Sequence, residues 1–248
     1  MKTNKAENFL AIDIGGSHIK ATVLHPNGEM QFDYKKIETP EKATPQLLID
    51  AIKTLLQDFP SFDKISVGFP GYVKDGVIFT APNLDSEAWK NFNLSKALSN
   101  EFKKPVRLVN DADLQGLAVI SRKGLEMVIT LGTGFGTALF MDGKLLPHLE
   151  LAHLPVRKNK DYDAFIGDKA LIQDGEEKWN KKMKEVLNTF KTVINYDRLY
   201  LSGGNAKKIS FKLDDNIKIV SNKDGIKGGA FLWHASDGYC VKSVHPDE

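Results

Sequence analysis

One pattern occurs twice in this chain, and it limits the possible folds more than any other feature. FLAIDIGGSHIKATVL (9–24) reads as an apolar strand, a glycine turn and a second strand, with PNGE as the next tight turn. EMVITLGTGFGTALFM (126–141) repeats that order, and DGKL follows it. In both copies apolar β-formers flank the glycines, and an Asn-Gly or Asp-Gly pair starts another hairpin. The recurrence in the same order predicts one architecture used twice.

The remaining segments fit α/β material around each copy. TPQLLIDAIKTLLQDF (44–59) carries Leu48, Ile52, Leu55, Leu56 and Phe59 at helical spacing, and LSKALSNEF (94–102) reads as a second, short helix. KISVGFP (64–70) and PVRLVN (105–110) read as short buried strands. Farther on, KWNKKMKEVLNTFKTVI (178–194) places Trp179, Met183, Val186, Phe190 and Val193 on one helical face. DRLYLSGGN (197–205) is a strand delivered into a glycine turn, and IKGGAFLWHA (226–235) reads as a closing helix.

At 248 residues and 42% hydrophobic, the chain can bury a large core and form two domains. A net charge of +2 gives no gross electrostatic case for nucleic acid or a membrane surface as partner. Cys240 is the sole cysteine, so no disulfide framework exists and a reducing compartment is favoured. The N-terminus has no charged-then-apolar leader, and no apolar run approaches the roughly 20 residues that span a bilayer. A cytoplasmic location is therefore expected.

Three glycine clusters lie at strand ends: Gly15-Gly16-Ser17, Gly132-Thr133-Gly134-Phe135-Gly136-Thr137, and Gly203-Gly204. Without a Cβ, such turns let backbone N–H groups approach an anion. A single cluster would be read as a tight hairpin. Three, two of them carrying hydroxyls, point to phosphate. No G-x-x-x-x-G-K-[ST] is present, which excludes a P-loop. GTGFGT is not a dinucleotide fingerprint, because ALFMDG continues as a strand where that motif requires a helix.

These segments together resemble a known family. AIDIGGSHIK and TLGTGFGTALF resemble the two phosphate motifs of the sugar-kinase and actin-like ATPase superfamily, and LYLSGGN resembles its adenosine motif. GFPGYVKDG, LVNDADLQGL and LLPHLELAHLP resemble the sugar-site segments of ROK-family glucokinases, with the likeness greatest to the polyphosphate glucokinases within that family. The resemblance runs from about residue 8 to about residue 236, with all six segments in family order. It implies an α/β fold of two ribonuclease-H-like domains with a cleft between them. The expected domains are 1–110 and 111–225, with the C-terminal helix of about 226–248 returning to the first.

By the same resemblance the function is hexose kinase: transfer of a phosphoryl group from polyphosphate or ATP to the 6-hydroxyl of glucose. Asp111 becomes the general base, and its place at a helix start favours the ionised carboxylate. Asp113 in the same segment reads instead as a helix-capping acid. Asn110, Glu150, His153 and Asn83 are assigned to the sugar. Gly15, Gly16, Ser17, Lys20, Gly132, Thr133, Gly134, Gly136 and Thr137 are assigned to phosphate, and Gly203, Gly204 and Asn205 to the nucleotide. Asp13, inside an apolar strand where an unpaired carboxylate is costly, is assigned to Mg²⁺ through water.

Many relatives carry a cysteine-rich zinc motif after an E-x-G-H segment. No cysteine follows it here, so no structural zinc is expected, and Ala152 replaces the glycine. If that position needs positive φ or close sugar approach, its methyl would weaken binding. Polyphosphate would favour a basic track, for which Lys158, Lys160, Lys178, Lys181, Lys182 and Lys184 are candidates, although a solvated helix face accounts for most of them. A homodimer is expected from the relatives. Two other readings remain open: an ATP-dependent kinase for mannose or an N-acetylated sugar, and a sugar-binding protein that has lost catalysis.

Overall fold

The computed structural model describes residues 7–82, 84–238 and 240–246. The chain divides into two compact units, Met1–Ala118 together with Asp224–Glu248, and Val119–Lys223.

The first unit contains β1 (Phe9–Ile14), β2 (His18–Leu24), β3 (Met30–Glu38), α1 (Pro45–Leu55) and β4 (Lys64–Phe69). There follow β5 (Val73–Lys74), β6 (Val77–Ile78), α2 (Ser86–Trp89), β7 (Phe92–Asn93), α3 (Leu94–Phe102), β8 (Val106–Asn110) and α4 (Asp111–Val119). Its main sheet has the order β3-β2-β1-β4-β8, while β5, β6 and β7 form a small separate sheet. The first three strands meander antiparallel, and β4 and β8 run parallel to β1. Thr44 caps α1 by accepting the Leu47 N–H, and Pro45 presets the first turn. That places Leu48, Ile49, Ile52 and Leu55 in the core with β1, β4 and the fully buried Trp89.

The second unit contains β9 (Leu125–Leu131), β10 (Phe135–Met141), β11 (Lys144–Leu145), β12 (Pro155–Arg157), β13 (Lys160–Asp161), α5 (Tyr162–Ile166), α6 (Asp168–Ile194), β14 (Arg198–Ser202) and β15 (Ile217–Ile219). Its sheet order is β11-β10-β9-β14-β15, with β9 and β10 antiparallel and β14 and β15 parallel to β9. Third, second, first, fourth, fifth is thus the strand order in both units. The doubled hairpin pattern reflects a doubled topology.

The compact unit that holds β8 runs on to Ala118. Its close packing explains why: an added Cβ on Gly68 of β4 would lie 2.9 Å from Leu114 and 3.3 Å from the Asp111 Cα. Two expectations need correction, both of helix extent. The helix expected over 178–194 begins at Asp168 and is interrupted at Gly175 (φ 74, ψ 163), which hides its first half from a search for periodicity. The closing helix is short, α7 (Gly228–Phe231); within it Gly228 packs against the Leu114 carbonyl and Gly229 against Ala11, where larger residues would collide.

Glu126 was not anticipated. It is fully buried, and its carboxylate accepts from the Ser121 N–H and hydroxyl, the Tyr200 hydroxyl and the Arg122 and Lys123 N–H groups. Burial pushes its pKa up, but these donors outweigh burial and hold it below the ordinary value. A depressed folded pKa contributes stability above the unfolded value of about 4.3, and that stability is lost as pH falls through the folded value. In Glu126→Gln the amide NH₂ must face donors in either orientation. The variant should lose about 1–3 kcal/mol at pH 7 in denaturant titration, and its deficit relative to the parent should shrink below about pH 4.

Candidate functional site

In the first unit the parallel strands β1, β4 and β8 bring their C-terminal ends into line, a common position for ligands in α/β sheets. Asp13 pairs in register with Gly68, and Gly68 with Val109. Asp13 and the end of β8 are therefore about two strand spacings, roughly 10 Å, apart.

At that end the chain turns from strand to helix through Asn110 and Asp111. Asn110 is 7% exposed; its amide donates to the Gly71 carbonyl at 3.1 Å, and its oxygen accepts the Ala112 N–H at 2.8 Å. The Asp111 carboxylate accepts the same N–H at 2.8 Å. Asn110 and Asp111 thus both accept at the helix start, and Asp113, in the same first turn, is 2% exposed. Asn110 also ties this helix start to the Gly71 loop. Asp111 is half-buried, its carboxylate accepting the backbone N–H of the next residue.

Asp13 is 9% exposed and pairs with Lys20 Nζ at 3.2 Å across β1 and β2. The buried charge is thus balanced within the hairpin. The turn between those strands is fixed through its carbonyls: Thr39 donates its hydroxyl to Gly15 O (2.7 Å) and its N–H to Ser17 O (3.0 Å). Gly16 and Ser17 are exposed, and their N–H groups have no partner among the described residues.

In the second unit the turn between β9 and β10 is held from several sides. Gly132 N–H donates to Gly134 O at 3.1 Å, Phe135 N–H to Asp163 Oδ1 at 2.8 Å, and Asp168 N–H to Thr133 O at 3.3 Å. Asn205, in the turn after β14, donates to Gly132 O (3.4 Å) and to Asp168 Oδ1 (3.0 Å). The glycines here differ in why they are glycines. An added Cβ on Gly134 would strike the Asp163 carboxylate, and one on Gly203 (φ +91) would strike Leu131. Gly132 and Gly204 have open space in that direction and no positive φ. Packing and conformation account for Gly134 and Gly203, while neither accounts for Gly132 and Gly204.

Thr137 needs correction. It is 4% exposed, on β10, and its hydroxyl donates to Leu149 O at 3.2 Å. It secures the 146–150 segment and is not free for phosphate. Gly136 lies within β10, paired with Thr130. Thr133, exposed at the turn, is the accessible hydroxyl.

Beyond that strand, Glu150 Oε1 lies 3.5 Å from His148 Nε2, and His153 Nδ1 lies 3.3 Å from Asp161 Oδ2. The Ala164 N–H and then His153 hold the Asp161 carboxyl below its ordinary pKa. Ala152 occupies a 3-10 turn, Leu151–His153, and is 8% exposed with its methyl in the apolar cluster. Its backbone is not in the positive-φ region. Asn83 lies outside the described residues.

Several of the candidate basic residues are engaged. Lys178 and Lys182 pair with Asp174, Lys181 pairs with Glu177, and Lys184 lies over the Phe211 ring. Among the described residues no group of three or more His, Cys, Asp or Glu is placed to hold a metal ion, and no helix is long and apolar enough to cross a membrane.

A protein-family model, the ROK family, matches residues 9–159. The polyphosphate glucokinase of Mycobacterium leprae is 32% identical over 230 residues, covering 89% of this chain and 69% of that protein. The polyphosphate glucokinase of Mycobacterium tuberculosis is 32% identical over 221 residues, covering 86% and 82%. The crystal structure of inorganic polyphosphate/ATP-glucomannokinase from Arthrobacter sp. strain KM matches with a TM-score of 0.80 at 29% identity, covering 91% of this chain and 97% of that one.

Proposed function

Because the chain belongs to the ROK family and is a phosphotransferase of the hexose-kinase type, we propose that it moves a phosphoryl group from inorganic polyphosphate to the 6-hydroxyl of glucose, with ATP as a second donor. The donor rests on likeness to polyphosphate-using relatives, and mannose is the next acceptor to test, after the glucomannokinase.

Phosphoryl transfer to an alcohol passes through a loose transition state, so positioning and charge neutralisation matter more than a strong base. Asp111 would accept the 6-hydroxyl proton as the sugar oxygen bonds to phosphorus and the bond to the donor breaks. Shortened polyphosphate or ADP leaves. Asn110 fixes the start of α4 by accepting the Ala112 N–H and steadies the Gly71 loop. Glu150 and His153 would bind other sugar hydroxyls, with Asp161 orienting the imidazole. Backbone N–H groups of the glycine turns, at Gly16 and Ser17 and at Thr133, Gly134 and Gly204, are the candidates to bind donor oxygens.

Mg²⁺ fits Asp13. Magnesium keeps most of its water and needs one or two carboxylates, and this near-buried carboxylate has an ammonium group as its described partner. When bound, the ion would neutralise charge on the donor phosphates.

The observation that carries this reading is the pair of glycines, Gly132 and Gly204, whose missing side chains no contact among the described residues explains. A ligand backing onto both turns explains them. Alanine at either position should raise the donor KM about tenfold in a coupled assay with glucose and Mg²⁺, polyphosphate and ATP being supplied separately. The same variants should be equally stable or gain about 0.4–1 kcal/mol, because a compatible Gly→Ala change restricts the unfolded chain. Unchanged donor KM in both variants would remove these turns from the donor site.

A further inference from the structure

We propose that Asp168 is a positioning residue for the donor-binding turns of the second unit, acting through Asn205. This rests on the reading of Gly132–Gly134 and Gly203–Asn205 as donor turns.

Asn205 was expected to meet a nucleotide directly. In the structure its amide nitrogen is directed at the protein: it donates to Gly132 O and to Asp168 Oδ1. Asp168, at the start of α6, touches both turns, its N–H donating to Thr133 O and its carboxylate holding Asn205. One residue on a helix therefore sets the spacing between the two glycine turns. Close packing supports the same frame, since a Cβ on the preceding Gly167 would lie 3.1 Å from Thr133 O and 3.6 Å from the Gly134 Cα.

The residue type is informative. A carboxylate beside a site for polyanions opposes their binding, so its presence needs a return. A charged acceptor makes a hydrogen bond about twice as strong as a neutral one. At the first turn of a helix the charge is also offset by the helix dipole. Asp168 can thus hold the Asn205 amide firmly at limited electrostatic cost to the ligand.

The test compares Asp168→Ala with Asp168→Asn, which retains an acceptor for the Asn205 amide. Tripolyphosphate binding is measured by calorimetry, donor KM and kcat by the coupled assay, and amide hydrogen exchange at Gly132 and Ala206 without ligand. Those two N–H groups are bonded within the turns, to Gly134 O and Gly203 O. Asp168→Ala should speed exchange at both amides, weaken tripolyphosphate about tenfold, raise donor KM to match and change kcat less than threefold. Asp168→Asn should restore exchange and donor KM to within about threefold of the parent.

Equal loss of thermal stability in both variants, with exchange and donor KM unchanged, would reduce Asp168 to a helix-terminal charge and overturn the proposal. If the unmodified protein binds neither tripolyphosphate nor ATP, the donor reading fails by itself. The exchange measurement then still decides whether Asp168 holds the two turns.

Discussion

Replacing Arg107 with methionine should destabilise the first unit by about 2–4 kcal/mol and release the C-terminal segment. Arg107 lies in β8 at 5% exposure, where a charged side chain persists only if fully paired. Its Nε donates to Ser243 Oγ at 3.0 Å, and its terminal nitrogens donate to Leu232 O at 2.5 Å, Ala235 O at 2.8 Å and Asp237 Oδ1 at 2.5 Å. The guanidinium also stacks 4.5 Å from the Trp233 ring centre. Beside it, Val106 and Val244 exchange backbone hydrogen bonds at 2.9 and 3.0 Å, so Leu232, Ala235, Asp237, Ser243 and Val244 are fastened along the strand that ends in Asn110.

Methionine fills part of the volume but leaves two carbonyls and a carboxylate without their donor, which sets the estimated loss. Burial pushes the Asp237 carboxyl up, yet the hydrogen bonds from Ser243 and Arg107 hold its pKa below the ordinary value. Its contribution is accordingly present above about pH 4 and fades as the solution becomes more acidic. Denaturant titration at pH 7 with limited proteolysis of the tail should show both effects. A variant as stable and as protease-resistant as the parent would mean that the clamp contributes nothing.

Arg107 also shows what the sequence reveals and what it conceals. An arginine inside the apolar run PVRLVN signals a buried cation, but its partners lie more than a hundred residues later, so no local pattern identifies them. The hairpins around 9–24 and 126–141 were legible because strand alternation and the Asn-Gly and Asp-Gly turns are local properties. The first half of α6 was not, since Gly175 breaks its period, and the close packing at the α7 glycines is something that sequence cannot express.

The same division holds at the candidate site. Glycine clusters marked the turns, but whether a glycine is needed for packing, as at Gly134, or has open space beside it, as at Gly132, depends on three-dimensional neighbours. Thr137 looked like a phosphate hydroxyl because it follows GTGFG, yet strand alternation carries it inward to Leu149. The Ala152 substitution raised a question of backbone strain, which the 3-10 turn answers: its methyl packs inward without a positive φ. Asp161 and Asp168 went unnoticed because acids at helix starts are ordinary, and only their contacts with His153 and Asn205 single them out.

The second large effect concerns Asp111. General-base catalysis is worth about 100- to 10,000-fold, so Asp111→Asn should reduce turnover within that range. The substitution keeps an oxygen that can accept the Ala112 N–H, so the start of α4, the Asn110 contacts and the fold should survive. The fitting measurement follows both quantities in one preparation: kcat with glucose and polyphosphate, and glucose affinity by calorimetry. A kcat reduced at least 100-fold with glucose affinity within about threefold of the parent is the predicted result. A variant that turns over glucose within about twofold of the parent would contradict the assignment of the proton to Asp111.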